Sequence, residues 1–256
     1  MVQAMTPTWK TSDDRVRLFL GDCLDVLPSI DPVDAIVVDA PYSRQTHQGH
    51  DASADGYKGF GFDGANRQAI IYQSWSQYEV GEFCRVAAAA CNGWILSMTD
   101  HWLAPEWRQA LTDCGRYVFA PLPYYAPGSR VRLSGDGPSS WTIWLVASRT
   151  AKQSRWGTLP GGYVRKPGWE SPQYIGGKPV QLLEELIGDY SRPGQVVCDP
   201  CCGSGTAGVA AIRKGRAFVG VERDRTAFGI AVARIEAELS RAPLFDEPTA
   251  IQSGLF

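Results

Sequence analysis

The feature that most constrains the fold lies late in the chain, where a short apolar strand runs into a glycine-rich turn. Gln195-Val196-Val197-Cys198 reads as a buried strand, and Asp199-Pro200-Cys201-Cys202-Gly203-Ser204-Gly205-Thr206 follows it. A helical run from Ala207 to Lys214 comes next, then a third apolar segment, Ala217 to Val221, closed by Glu222. Strand, glycine loop, helix, strand and acidic residue make one nucleotide-binding βαβ unit, the building block of an α/β domain. Gly203-x-Gly205-x-x-Gly208 also matches the dinucleotide fingerprint, with Glu222 about 20 residues on.

Asp199 separates the candidate ligands. A carboxylate beside the glycine turn repels a pyrophosphate but attracts the ammonium group of S-adenosylmethionine (AdoMet). Glu222 serves either ligand, since both present ribose hydroxyls to an acidic acceptor. AdoMet is therefore the expected cofactor.

A second motif carries different chemistry. Asp34-Ala35-Ile36-Val37-Val38 reads as another buried strand, and Asp39-Ala40-Pro41-Tyr42 sits at its carboxyl end. Open α/β sheets form their ligand crevices at such ends. Asp39 offers an acceptor, Pro41 biases Ala40 towards an extended backbone that aims its carbonyl, and Tyr42 offers a flat ring. Two acceptors and an aromatic face suit an exocyclic amine on a stacked base. Taken alone, the tetrapeptide also reads as a strand-to-loop turn.

Together the motifs make the chain resemble the DNA amino-methyltransferases, which methylate adenine N6 or cytosine N4. The family pattern is [D/N/S]-P-P-[Y/F/W] for the catalytic loop and D-P-F-x-G-S-G-T for the cofactor loop. Here the catalytic loop comes first and the cofactor loop about 160 residues later, an order similar to the family's β group. Gly21-Asp22-Cys23-Leu24 resembles the segment whose Asp contacts the cofactor's adenine. Lys178-Pro179-Val180 through Ile187 resembles the helix that precedes the cofactor loop, and Ala231 to Ile235 the closing helix.

The resemblance implies a doubly wound, mostly parallel seven-stranded sheet of the class I AdoMet methyltransferase type, with a small inserted target-recognition region. It implies AdoMet held by Asp22, Cys23, Lys178, Asp199, Cys201, Gly203, Ser204, Gly205, Thr206, Glu222 and Arg223. The catalytic residues would be Asp39, Ala40, Pro41 and Tyr42, with the tyrosine ring and not its hydroxyl doing the stacking. Two positions depart from the pattern. Ala40 replaces a Pro but keeps the carbonyl, whereas Cys201 replaces a Phe and removes a ring beside the cofactor. Asp at the head of the tetrapeptide is usual for adenine and Ser for cytosine N4. Site-specific methylation of adenine N6 in double-stranded DNA, as in restriction–modification, is the expected activity, and cytosine N4 the alternative. An RNA or protein-amide methyltransferase and a non-catalytic nucleic-acid-binding subunit are rival readings. The retained Asp39 and cofactor glycines argue against the last.

The 256 residues fit one catalytic domain, 1–256. No stretch approaches 18 apolar residues, no signal pattern opens the chain, and the seven cysteines lack the spacing of a secreted scaffold. A cytoplasmic protein with reduced thiols and no membrane partner is expected. Cys198-x-x-Cys201 has half the spacing of a zinc site, but it encloses the Asp-Pro of the cofactor loop, and His47, His50 and His101 offer no complement. No metal is expected.

Net charge is −2, yet seven basic residues face two acidic ones between Pro121 and Glu170. Tyr124, Tyr125, Trp156, Tyr163 and Trp169 are interleaved with them. Region 121–175, with Arg130, Arg132, Arg155, Arg165 and Lys166, is expected to contact DNA, cations on phosphates and rings on bases. Trp141 and Trp144 fall in an apolar strand and are expected to fill the core. Residues 43–68 lack periodicity and are expected to form a mobile loop over base and cofactor, with Phe60 and Phe62 packing on the base or anchoring the loop. Residues 239–256 read as a loose tail. Its end, with Gln252, Leu255 and Phe256, is similar to the Q-x-x-L-F peptides that dock on bacterial sliding clamps; packing of Phe256 on the domain is the plainer reading. A homodimer is also compatible with the chain.

Overall fold

The computed structural model describes residues 4–47, 73–127, 141–150, 156–170 and 177–241. Seven strands of four or more residues form the sheet: β2 (Val16–Leu20), β3 (Val33–Asp39), β4 (Cys91–Thr99), β6 (Leu122–Ala126), β7 (Trp141–Arg149), β9 (Val196–Asp199) and β10 (Ala217–Glu222). Three two-residue strands, β1 (Trp9–Lys10), β5 (Tyr117–Val118) and β8 (Tyr163–Val164), bring the total to ten. The order is β1-β2-β10-β9-β3-β4-β7-β6-β8, with β5 against β7. Strands β2, β10, β9, β3 and β4 run parallel, and β7 is antiparallel to β4 and β6. The expected seven-stranded sheet is thus its main body, widened by three short strands.

Both faces are covered, as a parallel sheet requires. Helices α1 (Cys23–Val26), α2 (Gln77–Ala90) and α3 (Ala104–Asp113) lie on one side. Helices α4 (Val180–Tyr190), α5 (Thr206–Arg213) and α6 (Arg225–Arg241) lie on the other. The period-two alternation of β3 feeds both cores: Ala35 and Val37 join Leu183 and Leu186, while Ile36 and Val38 join Phe83 and Trp107. Helix α2 begins with a capping box between Ser76 and Glu79, and it buries Val80, Phe83, Cys84 and Ala87 along one stripe. Among the described residues, no helix is long and apolar enough to cross a membrane.

Three expectations need correction. Tyr124 and Tyr163, read as base-stacking groups, are only 3% and 4% exposed, because β6 and β8 extend the sheet and turn these rings into the core. Trp156 is likewise packed, donating its indole N–H to the Asp189 carbonyl at 2.8 Å. The tail does not begin at Leu239: α6 runs to Arg241, and Ala231, Ile235 and Leu239 recur at the four-residue spacing that meets the core. Residues 44–47, the start of the supposed patternless loop, are helical. Residues 48–68, with Phe60 and Phe62, and 242–256, with Gln252, Leu255 and Phe256, lie outside the described residues. Trp144 is half-buried against the core, as expected, and the Trp141 side chain lies outside the description.

One glycine secures the join of β3 and β4. A Cβ on Gly93 would sit 2.1 Å from the Asp34 carbonyl oxygen, beside the register shift between Val33 and Ala35. The backbone itself would have to move. Gly81 in α2 has open space around it. Gly93→Ala is expected to lower unfolding free energy by about 2–3 kcal/mol, and Gly81→Ala to raise it by about 0.5–1 kcal/mol. Urea unfolding of the two variants checks this; equal midpoints would contradict the packing described.

Candidate active site at the switch point of the sheet

Chain winding reverses between β9 and β3. From β9 the chain passes through α5 to β10 on one side, and from β3 through α2 to β4 on the other. A crevice opens at such a reversal, beyond the carboxyl ends of the two strands. Asp199 ends β9 and Asp39 ends β3, so the two motifs meet there. They line one cavity of about 680 Å³.

Six carboxylates line that cavity, from Asp22, Asp39, Glu79, Asp199, Glu222 and Asp224, against two cations, Lys178 and Arg223. The excess of negative charge suits a cationic ligand and opposes a pyrophosphate. Asp199 is buried and accepts the Cys201 N–H at 3.1 Å. Burial, with Asp39 and Glu222 nearby, pushes its pKa up to about 8.

The glycine loop is held from several sides. Glu222 accepts the Gly203 N–H on one oxygen and the Asp224 N–H on the other, both at 2.8 Å. Gly205 adopts a left-handed conformation (φ 78°) as the N-cap of α5, and a Cβ there would meet Ala231 at 3.0 Å. Arg234 braces the loop from α6, donating to the Ser204 carbonyl and Oγ at 2.8 Å and to Thr206 Oγ1 at 3.1 Å. Asp22 caps α1 through the Leu24 N–H at 2.9 Å. The neighbouring Cys23 thiol, with burial, pushes the Cys201 thiol pKa well up and keeps it neutral.

Both oxygens of Asp39 are engaged. Lys178 Nζ forms an ion pair with Oδ2, and the Tyr42 hydroxyl donates to Oδ1 at 3.0 Å. Lys178 Nζ also lies 5.2 Å from the centre of the Tyr42 ring.

Most of the expected site residues come together. Asp22, Cys23, Lys178, Asp199, Cys201, Gly203, Ser204, Thr206, Glu222 and Arg223 line the cavity with Asp39 and Pro41. Gly205 packs behind the loop, Ala40 is buried beneath the tetrapeptide, and Tyr42 reaches the site through Asp39. Arg165 and Lys166 are not part of the cavity wall, and Lys166 pairs with Glu185. Arg130, Arg132 and Arg155 lie outside the described residues. Sequence reading missed Trp75, Glu79, Met98 and Asp224 in the wall and Arg234 behind it. Asp224 and Glu79 carried local signals, the first as an Asp preceding a helical run and the second as the last residue of a Ser-x-x-Glu capping box.

The architecture is shared with solved methyltransferases. It is similar to the M1.HpyAVI–SAM complex, with a TM-score of 0.64 and 18% identity over 86% of this chain and 98% of that one. It is also similar to PvuII DNA methyltransferase, which is cytosine-N4-specific, with a TM-score of 0.63 and 14% identity over 92% and 94%. The fold is that of the class I AdoMet methyltransferases. In sequence, residues 128–233 match the model of the N6/N4 methyltransferase family, described as DNA methylase. The type II methyltransferase M2.DpnII of Streptococcus pneumoniae is 34% identical over 103 residues, which is 40% of this chain and 33% of that relative's length.

The raised Asp199 pKa has a measurable consequence. A buried carboxyl whose folded pKa is about 8, against an ordinary value of 3.8, favours the fold most when protonated. That contribution is complete below the unfolded-state pKa and is lost as pH rises through the folded one, by up to about 1.4 kcal/mol per pH unit. Asp199→Asn is expected to remove this slope. Its unfolding free energy relative to wild type should therefore grow between pH 5 and pH 8 (roughly the span of the two pKa values) and then level off. Denaturant titrations across that range check it, and a pH-independent difference would contradict it.

Proposed function

We propose that the protein transfers the methyl group of AdoMet to the exocyclic N6 amine of an adenine swung out of double-stranded DNA. The observation that carries this reading is the convergence of Asp39 and Asp199, from motifs far apart in the chain, on one acidic cavity. When bound, AdoMet supplies a methyl group already activated on a sulfonium. Asp199 would take its ammonium group and Glu222 its ribose hydroxyls, with Asp22 at the adenine. The Gly203-to-Thr206 turn lets the backbone come close, and Cys23 and Cys201 form the wall where relatives carry a Phe.

Asp39 and the Ala40 carbonyl accept the two N–H bonds of the target amine. This draws nitrogen towards tetrahedral geometry and frees its lone pair, which ring delocalisation otherwise withholds. A carboxylate has about four lone-pair sites, so Asp39 keeps acceptor capacity beyond its bonds to Lys178 and Tyr42. Lys178 fixes the carboxylate's orientation, a role nearer the reaction than the cofactor contact expected from sequence. Tyr42 stacks on the base, worth about 1–3 kcal/mol, and its hydroxyl also steadies Asp39. The remaining contribution is alignment of nitrogen with the methyl carbon. Region 121–175, including Arg165 and Lys166, would supply phosphate and base contacts within a single catalytic domain. Likeness to a type II methyltransferase supports a restriction–modification setting.

Cytosine N4 is the second reading, favoured by the likeness to PvuII methyltransferase. The Asp at the head of the tetrapeptide supports adenine.

Single-turnover transfer of labelled methyl from AdoMet to unmethylated genomic DNA tests the roles. Asp39→Ala is expected to slow transfer about a thousandfold while AdoMet affinity stays within about threefold. Lys178→Met should cost about tenfold to a hundredfold. Tyr42→Phe should fall between wild type and Tyr42→Ala, since it keeps the ring and loses the bond to Asp39. Wild-type rates for Asp39→Ala would remove the mechanism.

A further inference from the structure

Asp100 is a fully buried carboxylate, one residue beyond β4, that takes no part in the chemistry above and does not line the cavity. It accepts five hydrogen bonds. Oδ1 takes the Trp102 and Leu103 N–H groups at 3.1 and 2.9 Å, which closes the turn leading into α3. Oδ2 takes the Ser43 N–H at 2.9 Å, Ser43 Oγ at 2.6 Å and Thr46 Oγ1 at 2.6 Å. Burial alone would raise its pKa, but the bonds from Ser43 and Thr46 hold the carboxyl below the usual range, and it stays ionised.

The turn before α3 explains only half of this. All three donors to Oδ2 come from the segment directly after Tyr42. The peptide joining Tyr42 to Ser43 is thereby held at both ends: its N–H by Asp100, and its carbonyl by the Trp75 N–H at 3.0 Å. Trp75 is itself wedged against Phe83 and Trp107, with ring centres 5.4 and 6.1 Å away. An Asn could close that turn, but it would turn an N–H₂ towards donors on one side. Only a carboxylate accepts from both sides.

We infer that Asp100 is a positioning residue for methyl transfer, acting through Ser43 and Thr46 to fix the Tyr42 backbone and so the plane of the ring that receives the target base. This rests on the function proposed above. The ring leaves the backbone at the clamped residue, and its hydroxyl is bonded to Asp39. A freed Tyr42–Ser43 peptide would let both the stacking face and the catalytic carboxylate drift.

The test uses the full chain with Ser43→Ala and Thr46→Val combined, which leaves the Oδ1 bonds to the turn before α3 in place, and Asp100→Asn as a second route. Hydrogen exchange of the 42–47 peptide is read without any substrate and is expected to quicken about tenfold or more in both. Single-turnover transfer to unmethylated genomic DNA should fall between about tenfold and a hundredfold, with KM for DNA within about threefold. Thr46→Ser, which keeps the donor, should retain the wild-type rate. In a Tyr42→Ala background the double change should cost less than about twofold more, because its effect runs through that ring. Unchanged exchange, or an equal loss with and without Tyr42, would overturn the inference. A wild-type protein that methylates no DNA would overturn the functional reading instead, and the exchange measurement would still decide the clamp.

Discussion

The hydrogen bonds joining β3 to β9 set the spacing between two motifs that the chain keeps far apart. Ala35 pairs with Val197 and Ile36 with Cys198, and the Asp34 carboxylate adds a bond to the Val196 N–H at 2.8 Å. This register brings Asp39 and Asp199 to neighbouring strand ends. A slip of one residue would turn Val197 and Cys198 to the wrong faces and swing Asp199 away from the crevice. The helices on each face, the cap at Asp22 and the brace from Arg234 all act on loops that this one pairing has already aligned.

Bringing carboxylates together in a partly buried space is unfavourable without a compensating charge. Lys178 compensates Asp39 directly, and Asp199 responds by holding its proton up to about pH 8. The cavity is thus prepared for a cation at the cost of some stability in the free protein, a common pattern at functional sites. On the proposed reading, the ammonium of AdoMet relieves that repulsion at Asp199, while Lys178 has already compensated Asp39.

Much of this was legible in the sequence, and the failures have physical causes. Strands β3, β9 and β10 announce themselves as apolar runs rich in Val, and the glycine loop fixes the order of the last two around α5. Strand β6 does not, because Pro123 within it argues against a strand and its neighbours are rich in Gly and Pro. Two-residue strands such as β8 carry no periodicity at all. The end of α6 is hard to see in the sequence because Leu239 stands among polar residues, although it shares a stripe with Ala231 and Ile235. Pairing of Lys178 with Asp39, 139 residues away, and of Asp100 with Ser43, 57 residues away, is set by the sheet and leaves no local trace.

The identity of the methylated atom tests the account most directly. Unmethylated genomic DNA would be incubated with the protein and deuteromethyl-labelled AdoMet, digested to nucleosides and analysed by mass spectrometry. Label in N6-methyladenine, abolished by Asp39→Ala, is the expected result. Label in N4-methylcytosine would move the target to the other amine, and no label in any DNA base would contradict methyl transfer to DNA at this site.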